Sequence, residues 1–412
     1  LSSVAVVHVV GAGLAGLSAA LRLVDCGANV QLWEATGRAG GRAWSFHDRT
    51  LGALIDNGNH LVLSGNRAVL DHCRRIGSFG WLDIAPEAAL PFHDLATGAD
   101  WVLRVPSLSS PRAALPPGIG PGGIADLWRI MTAGAGRLLS DVVRPGTPAW
   151  HALWEPLSLA VLNAPPDAAA ARPLAAVLAR TILRGGGACR PVTMPRGLGP
   201  TLVDPAVEAL AEAGVEPAWR HPLTAIEEDG GRAAALVFGA RRVDLGAEDR
   251  VILAVPAQTA GALLGLPAPS AGKAILNAHF RVPAGAASRI PPLLGLLSGR
   301  GDWAFRRGDV VSVTVSGAEP VAAGAQTALL ADLWSEVARA TELTGMEPLA
   351  SRLLVEKAAT FAPDPASLSR RLPLRPLGNV VLAGDHMSPP LPATIEGALR
   401  SARHAASAVL KG

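Results

Sequence analysis

Residues 4–10 read Val-Ala-Val-Val-His-Val-Val and run directly into Gly11-Ala-Gly13-Leu-Ala-Gly16; further on come Val30-Gln-Leu-Trp-Glu34 and Arg38-Ala-Gly40-Gly41-Arg42. The unbroken apolar run predicts a strand buried on both faces. Three glycines at G-x-G-x-x-G spacing predict a tight turn into a helix. Gly11 permits the turn, Gly13 removes a side chain where a phosphate must approach the backbone, and Gly16 lets the helix pack on the sheet. Leu14 and Ala15, in the first helical turn, aim their amides at the same anion. Glu34 ends the next strand about 20 residues on, where a carboxylate accepts hydrogen bonds from a ribose hydroxyl pair, with Ala35 beside it. The stretch therefore predicts a dinucleotide site on an α/β, Rossmann-like domain.

A second glycine match, Gly118-Ile-Gly120-Pro-Gly-Gly123, follows Pro116-Pro117. A proline pair cannot end a central strand, so this match reads as a loop opening a helix over 124–141.

The chain has 412 residues, enough for two domains, of which 49% are hydrophobic and only 17% charged. A mean hydropathy of +0.30 points to an interior cavity or a lipid-facing surface, or reflects the abundance of Ala, Gly and Pro. The uncharged run 251–272 is long enough to span a bilayer as a helix, but Pro256, Pro267 and Pro269 make it a buried strand followed by a loop and short helix. No secretory signal is read at the start. Cys26, Cys73 and Cys189 lack C-x-x-C spacing, which argues for a reducing cytoplasm and against a disulfide framework or a metal site. Arginines outnumber acids between Arg104 and Arg144. With Leu127, Trp128, Met131 and Leu138, this segment is a candidate for peripheral contact with the inner face of the cytoplasmic membrane, an ordinary solvated helix face being the alternative. Nothing suggests nucleic acid.

The order of elements predicts a discontinuous first domain, 1–80, 191–262 and 372–412, with 81–190 and 263–371 forming an inserted α+β substrate or cap domain. Helices are expected over 174–183, 202–213 and 394–410, and strands over 222–226, 251–255, 273–282, 310–316 and 379–383. The turn formers of Asp56-Asn-Gly58-Asn59-His60 look like the wall of a ligand site. The 379–383 strand ends in Gly384-Asp385, so its carboxylate and the helix start at Ala393, Thr394 and Ile395 face the same ligand as the opening glycines. The two ends of the chain are predicted to make one site.

With both ends read, the chain resembles the flavin amine oxidase and phytoene desaturase superfamily. The resemblance covers nearly the whole chain through the motifs quoted above and Pro392-Ala-Thr-Ile-Glu-Gly397. Finer features, Trp154-Glu-Pro-Leu157 with Leu162-Asn163, Leu202-Val-Asp-Pro205, Asn277-Ala-His279 and Glu356-Lys-Ala-Ala-Thr-Phe361, are similar to one branch of it. These are the squalene-associated FAD-dependent desaturases, or hydroxysqualene dehydroxylases, of bacterial hopanoid pathways. The resemblance implies FAD held by Gly11, Gly13, Leu14, Ala15, Gly16, Glu34, Ala35, Arg38, Gly40, Gly41, Arg42, Gly58, Asn59, His60, Leu223, Gly384, Asp385, Thr394 and Ile395. It also implies reductive removal of an allylic hydroxyl from a long apolar isoprenoid, with hydride from reduced flavin and an electron donor that the sequence does not identify.

Such chemistry needs an acid for the departing hydroxyl. His60, near the flavin ring, and His279, on a strand of the substrate domain, are the candidates, each with the alternative of a structural histidine; Asp302 and Glu356 stay open. Two rival readings also remain open at this point. One is an oxidative carotenoid-type desaturase or isoprenoid oxidase; the other, of a different class, is a non-enzymatic prenyl-lipid carrier on the same fold.

Overall fold

In the computed structural model, which describes residues 5–107, 113–116, 119–319 and 321–411, Val6–Val10 is an inner strand of a four-stranded parallel sheet. Val4, Pro117 and Gly118, named above, lie outside the described residues, as does Arg112 of the arginine-rich segment. The strand order is Val380–Leu382, Arg250–Leu253, Val6–Val10, Asn29–Trp33, with Val9 opposite both Ile252 and Leu32. Alternate side chains leave on opposite faces. Val9, Leu32, Ile252 and Val381 meet the helices Leu14–Asp25 and Ile395–Leu410. Val10, Trp33, Leu253 and Leu382 meet a small antiparallel sheet, Ala225–Asp229, Arg232–Phe238 and Arg241–Asp244. Trp33 stacks on Phe238 there, with ring centroids 4.3 Å apart. Burial on both faces explains why Arg250–Leu253 beyond its arginine and Val380–Leu382 read as continuous apolar runs, while the edge strand Asn29–Trp33 carries Asn29 and Gln31. The two helices pack on one another in one buried cluster to which Ala19 and Ala20 of the first and Ala402, Ala405 and Ala406 of the last contribute.

A seven-stranded sheet forms the second layer system, in the order Ala350–Glu356, Ala274–Arg281, Val310–Ala318, Trp303–Arg307, Leu293–Leu297, Ala89–Asp94, Ala99–Arg104. Only the Leu293–Leu297 and Ala89–Asp94 pairing is parallel. Leu329, Leu333, Trp334 and Val337 of the helix Gln326–Ala340 cover one face, packing on Leu276, Ala278, Phe280 and Val313. A helical group, including Pro121–Met131, Glu155–Leu162 and Ala171–Leu178, packs around Ile130, Leu139, Trp150, Trp154 and Leu174.

Several boundaries differ from the sequence reading. The helix expected over 124–141 is two, Pro121–Met131 and Leu139–Val142, because Gly134 and Gly136 disfavour the helical state and the buried Leu139 begins a new turn with its amide on Ala169. The one expected over 174–183 is Ala171–Leu178, after which the Thr181 hydroxyl bonds back to the Val177 carbonyl. The strand expected over 222–226 is Ala225–Asp229, set by pairing of Ala225 with Val237. The uncharged run 251–272 holds strand residues to Leu253 and the helix Ala257–Leu264; no helix among the described residues is long and apolar enough to cross a membrane.

Candidate active site

The opening turn is shaped for a close-approaching ligand. Gly11 has φ +105°, donates its amide to Trp33 (2.7 Å), and leaves no room for a Cβ, which would lie 2.4 Å from the Ala254 carbonyl oxygen. A Cβ on Gly16 would lie 1.8 Å from the Gly11 oxygen, whereas one on Gly13 would meet nothing within 4 Å. Gly11 and Gly16 are thus required by the fold itself, and the bare backbone at Gly13 faces open space at a helix N-terminus. That helix has no side-chain cap and no acid in its first turn, so the positive end of its dipole is left for an anion. The residues fit the pyrophosphate of FAD.

Glu34 is buried at the edge of this turn. Its Oε2 accepts from the Ala12 amide and its Oε1 from the Thr36 amide and hydroxyl, each at 2.8 Å. The segment 218–223 runs alongside, with the His221 amide donating to the Glu34 carbonyl (2.8 Å), which brings the half-buried Leu223 to the cluster around Trp33. Ala35 and Arg38 are exposed at the rim, the Arg38 guanidinium lying 3.9 Å over the Trp44 ring. The Gly40 amide donates to Ala12 (2.8 Å), and Gly41 approaches Gly13.

Arg42 crosses from this segment to the other end of the chain. Its Nη2 lies 2.9 Å from Oδ2 of the buried Asp385, and its Nη1 donates to the Ala359 carbonyl (2.9 Å). Burial opposes charge on Asp385, but the Arg42 guanidinium overrides it and holds the carboxyl well below the usual carboxylate range. Gly384, before it, donates to Ser401 Oγ (2.8 Å). Thr394 caps the last helix through its hydroxyl, which accepts from the Gly397 amide (3.0 Å).

Arg42, Thr394 and Ile395 also line a cavity of about 310 Å³ bounded by the seven-stranded sheet, the helical group and the N-terminus of the last helix. Its apolar wall includes Leu61, Leu90, Phe92, Leu153, Leu157 and Ile182. A connected polar network forms another part of the wall. Asn59 Nδ2 donates to Thr314 Oγ1 (3.0 Å), Thr314 to Asn277 Oδ1 (3.1 Å), and Asn277 Nδ2 to the Asn57 carbonyl (3.2 Å), around Gly58. Glu356 faces the cavity beside Asn57, whose Nδ2 lies 3.4 Å from Oε2.

His60 presents its ring to this cavity. Burial pushes its pKa down, Asp56 pushes it back up and Arg42 lowers it, so the imidazole is neutral at pH 7. His279 is placed differently. It is 1% exposed, its Nδ1 pairs with Ser312 Oγ (2.7 Å), Nε2 has no partner, and burial pulls its pKa down to about 4. It does not line the cavity, because its side chain turns to Ser312 behind the wall formed by Asn277 and Thr314. Asn277 and Glu396 were not expected as site residues. The first fixes the Asn57–Asn59 loop, and the Glu396 carboxylate accepts from the Ala68 and Val69 amides (2.9 and 3.2 Å), capping the helix Arg67–Arg75 against the cavity. Its position in an N-terminal helical turn gave the only sequence signal.

Fold and cleft together define an FAD-dependent oxidoreductase of the flavin amine oxidase architecture. The model of the flavin containing amine oxidoreductase family matches residues 14–83 and 355–410. Putrescine oxidase bound to putrescine superposes with a TM-score of 0.68 at 16% identity, covering 98% of this chain and 99% of that one. Cyclohexylamine oxidase from Brevibacterium oxydans also gives 0.68 at 16% identity, over 99% of both chains. Hydroxysqualene dehydroxylases of Rhodopseudomonas palustris and Sinorhizobium fredii are 38% and 36% identical, each over 98% of both chains, and that of Zymomonas mobilis is 35% identical over 98% of this chain and 99% of its own. The chain belongs to the hydroxysqualene dehydroxylase family.

Proposed function

We propose that this chain reductively removes the allylic hydroxyl of hydroxysqualene, giving squalene for hopanoid synthesis. The observation that carries the reading is the single cavity in which an apolar wall, a polar network with a cavity-facing histidine, and the Arg42 and Thr394 edge of the FAD cleft meet. Bound reduced FAD supplies a hydride to the allylic carbon. The glycine turn and first helix hold the pyrophosphate, Glu34 the ribose, and Arg42 with Asp385 the region between pyrophosphate and ring. Gly58 and Asn59, on a loop held by Asn277 and Thr314, would border the ring. His60 hydrogen-bonds the substrate hydroxyl and, in its protonated form, gives it a proton as it leaves as water. The apolar wall keeps water from the allylic cation.

The discontinuous division into 1–80, 191–262 and 372–412 for FAD, with 81–190 and 263–371 for substrate, fits this use of the two sheets. Access for a lipid substrate is proposed at the helical group. Ile124 and Trp128 are each 68% exposed on Pro121–Met131, and Leu183 is exposed next to the cavity residue Ile182. Arg129 and Arg137 pair with Asp126 and Asp141, so peripheral contact there, at the inner face of the cytoplasmic membrane, is mainly apolar.

The test is anaerobic incubation of chemically reduced, flavin-loaded protein with hydroxysqualene, following the return of the oxidised flavin band and extracting the lipid. Reoxidation with formation of squalene is expected. Failure to reoxidise, with oxidised protein bleaching on a saturated or polyene isoprenoid, identifies a desaturase instead.

A further inference from the structure

A second recess, about 400 Å³ in volume, lies beside Asp385. His386 forms part of its wall, and Leu391 is shared with the main cavity. None of the residues assigned to FAD lines it. Its charged lining is entirely cationic: Arg172 and Arg371 face it, and no carboxylate does. Neither arginine has an ion-pair partner among the described residues; Arg371 Nε donates only to the Leu368 carbonyl (3.2 Å). Arg172 stands in the first turn of Ala171–Leu178, a helix with no side-chain cap and no acid in that turn, so the dipole adds to the positive potential.

The second observation is His386. Its side chain is 2% exposed, and both ring nitrogens are buried with no hydrogen-bond partner, Nδ1 standing 3.7 Å from Asp385 Oδ1. A buried, unpartnered polar group is costly, and a ligand carrying oxygen acceptors relieves that cost.

We infer that this recess binds the phosphate-bearing part of a soluble electron donor, a reduced nicotinamide nucleotide. The inference rests on the proposed reductive chemistry. Each turnover breaks one C–O bond, forms one C–H bond and releases water, which takes two electrons and two protons from outside the substrate. One hydride from the reduced nicotinamide and one proton from solvent supply both, leaving the oxidised nicotinamide as the second product. Donors of this class carry phosphates, and two arginines lining one recess, Arg172 of them in the first turn of a helix, match them. A recess of this volume is within the range of small-molecule sites.

The test uses flavin-loaded protein with NADPH as the probe and inorganic pyrophosphate as competitor, in wild type, Arg172→Glu and Arg371→Glu. Binding is read from NADPH fluorescence, and flavin reduction from anaerobic bleaching. NADPH is expected to bind wild type and be displaced by pyrophosphate, with each variant weakening binding and slowing bleaching at low NADPH by about tenfold or more. Turnover of dithionite-reduced variants on hydroxysqualene is expected to match wild type, which also shows them folded. NADPH that fails to bind, or binds the variants as tightly, overturns the proposal. So does loss of binding to phosphatidylglycerol vesicles in these variants with NADPH binding intact, which makes the recess a lipid headgroup site. Dithionite-reduced wild type that forms no squalene sinks the proposed function and leaves the binding result standing.

Discussion

The guanidinium of Arg42 lies 2.9 Å from the carboxylate of Asp385, so the arginine after the first glycine-rich segment is tied to the turn before the last helix. The pair joins the FAD cleft to the substrate cavity, because Arg42 lines that cavity while Asp385 is buried. Replacing Arg42 by Met leaves the carboxylate without its compensating charge, a change that is severe for a buried acid. Arg42→Met is expected to retain FAD at least about tenfold more weakly, and more weakly still as pH rises and Asp385 ionises. Arg42→Lys is expected to fall between. Flavin absorbance after gel filtration at several pH values measures both.

Gly13 and Gly16 separate cofactor binding from folding. Gly16→Ala drives a Cβ into the Gly11 carbonyl and is expected to yield insoluble or unfolded protein. Gly13→Ala meets no protein atom, and its φ of −72° suits alanine, so thermal stability without FAD is expected to stay within about 0.5 kcal/mol. FAD affinity should nonetheless fall, since the new methyl occupies the space the pyrophosphate needs. Melting and flavin titration of the two variants decide it.

His60 gives the activity a pH signature. If its imidazolium donates the proton, the rate with reduced enzyme falls as pH rises, with a midpoint below the ordinary 6.5 because burial favours the neutral ring. His60→Gln is expected to lose roughly 10²–10⁴-fold in turnover and to flatten that profile. A wild-type rate that is constant from pH 5.5 to about 8 speaks against His60 as the proton donor.

His279 gives stability a different signature. Its folded pKa is about 4, below the ordinary 6.5, so the unfolded chain binds the extra proton between these values. Stability from this group is complete above pH 6.5 and declines as pH falls toward 4, by about 3 kcal/mol in all. His279→Gln is expected to be less stable than wild type at pH 7 but to lose less on acidification. Denaturant unfolding at pH 7.5 and at about pH 4.5 checks the difference.

Trp128 tests the route for lipid. Trp128→Ser with Ile124→Ser removes two exposed apolar side chains without touching the cavity, and is expected to reduce co-flotation with lipid vesicles while leaving turnover in detergent unchanged. Equal flotation would move the entry route elsewhere.

The opening turn was legible because a pyrophosphate cleft demands backbone geometry that only glycine at fixed spacing supplies. The strands around Val9, Ile252 and Val381 were legible because both their faces are buried. The hairpin Ala89–Asp94 and Ala99–Arg104 was not, since prolines and tryptophans masked its alternation; Gly98, at φ +71° in the turn, was the signal. The placement of His279 was hidden for another reason. Strand periodicity puts it on the same face as Asn277, but whether a side chain on that face reaches the cavity or stops at Ser312 depends on how far the neighbouring strands cover it. Asn277 read as part of a motif, yet its bond to Asn57 joins segments 220 residues apart and its bond from Thr314 crosses to a neighbouring strand 37 residues on, so neither has a local signature.

Val6–Val10 is made long before its sheet neighbour Arg250–Leu253 and the outer strand Val380–Leu382. Until the last helix arrives, the face of the first helix that packs on it is uncovered. A ribosome therefore carries a nascent chain whose nucleotide half stays open and sticky until that helix is made. Flavin capture is a late event in the life of the chain, and the emergence of Ile395–Leu410, rather than the appearance of the glycine motif, sets when it can begin.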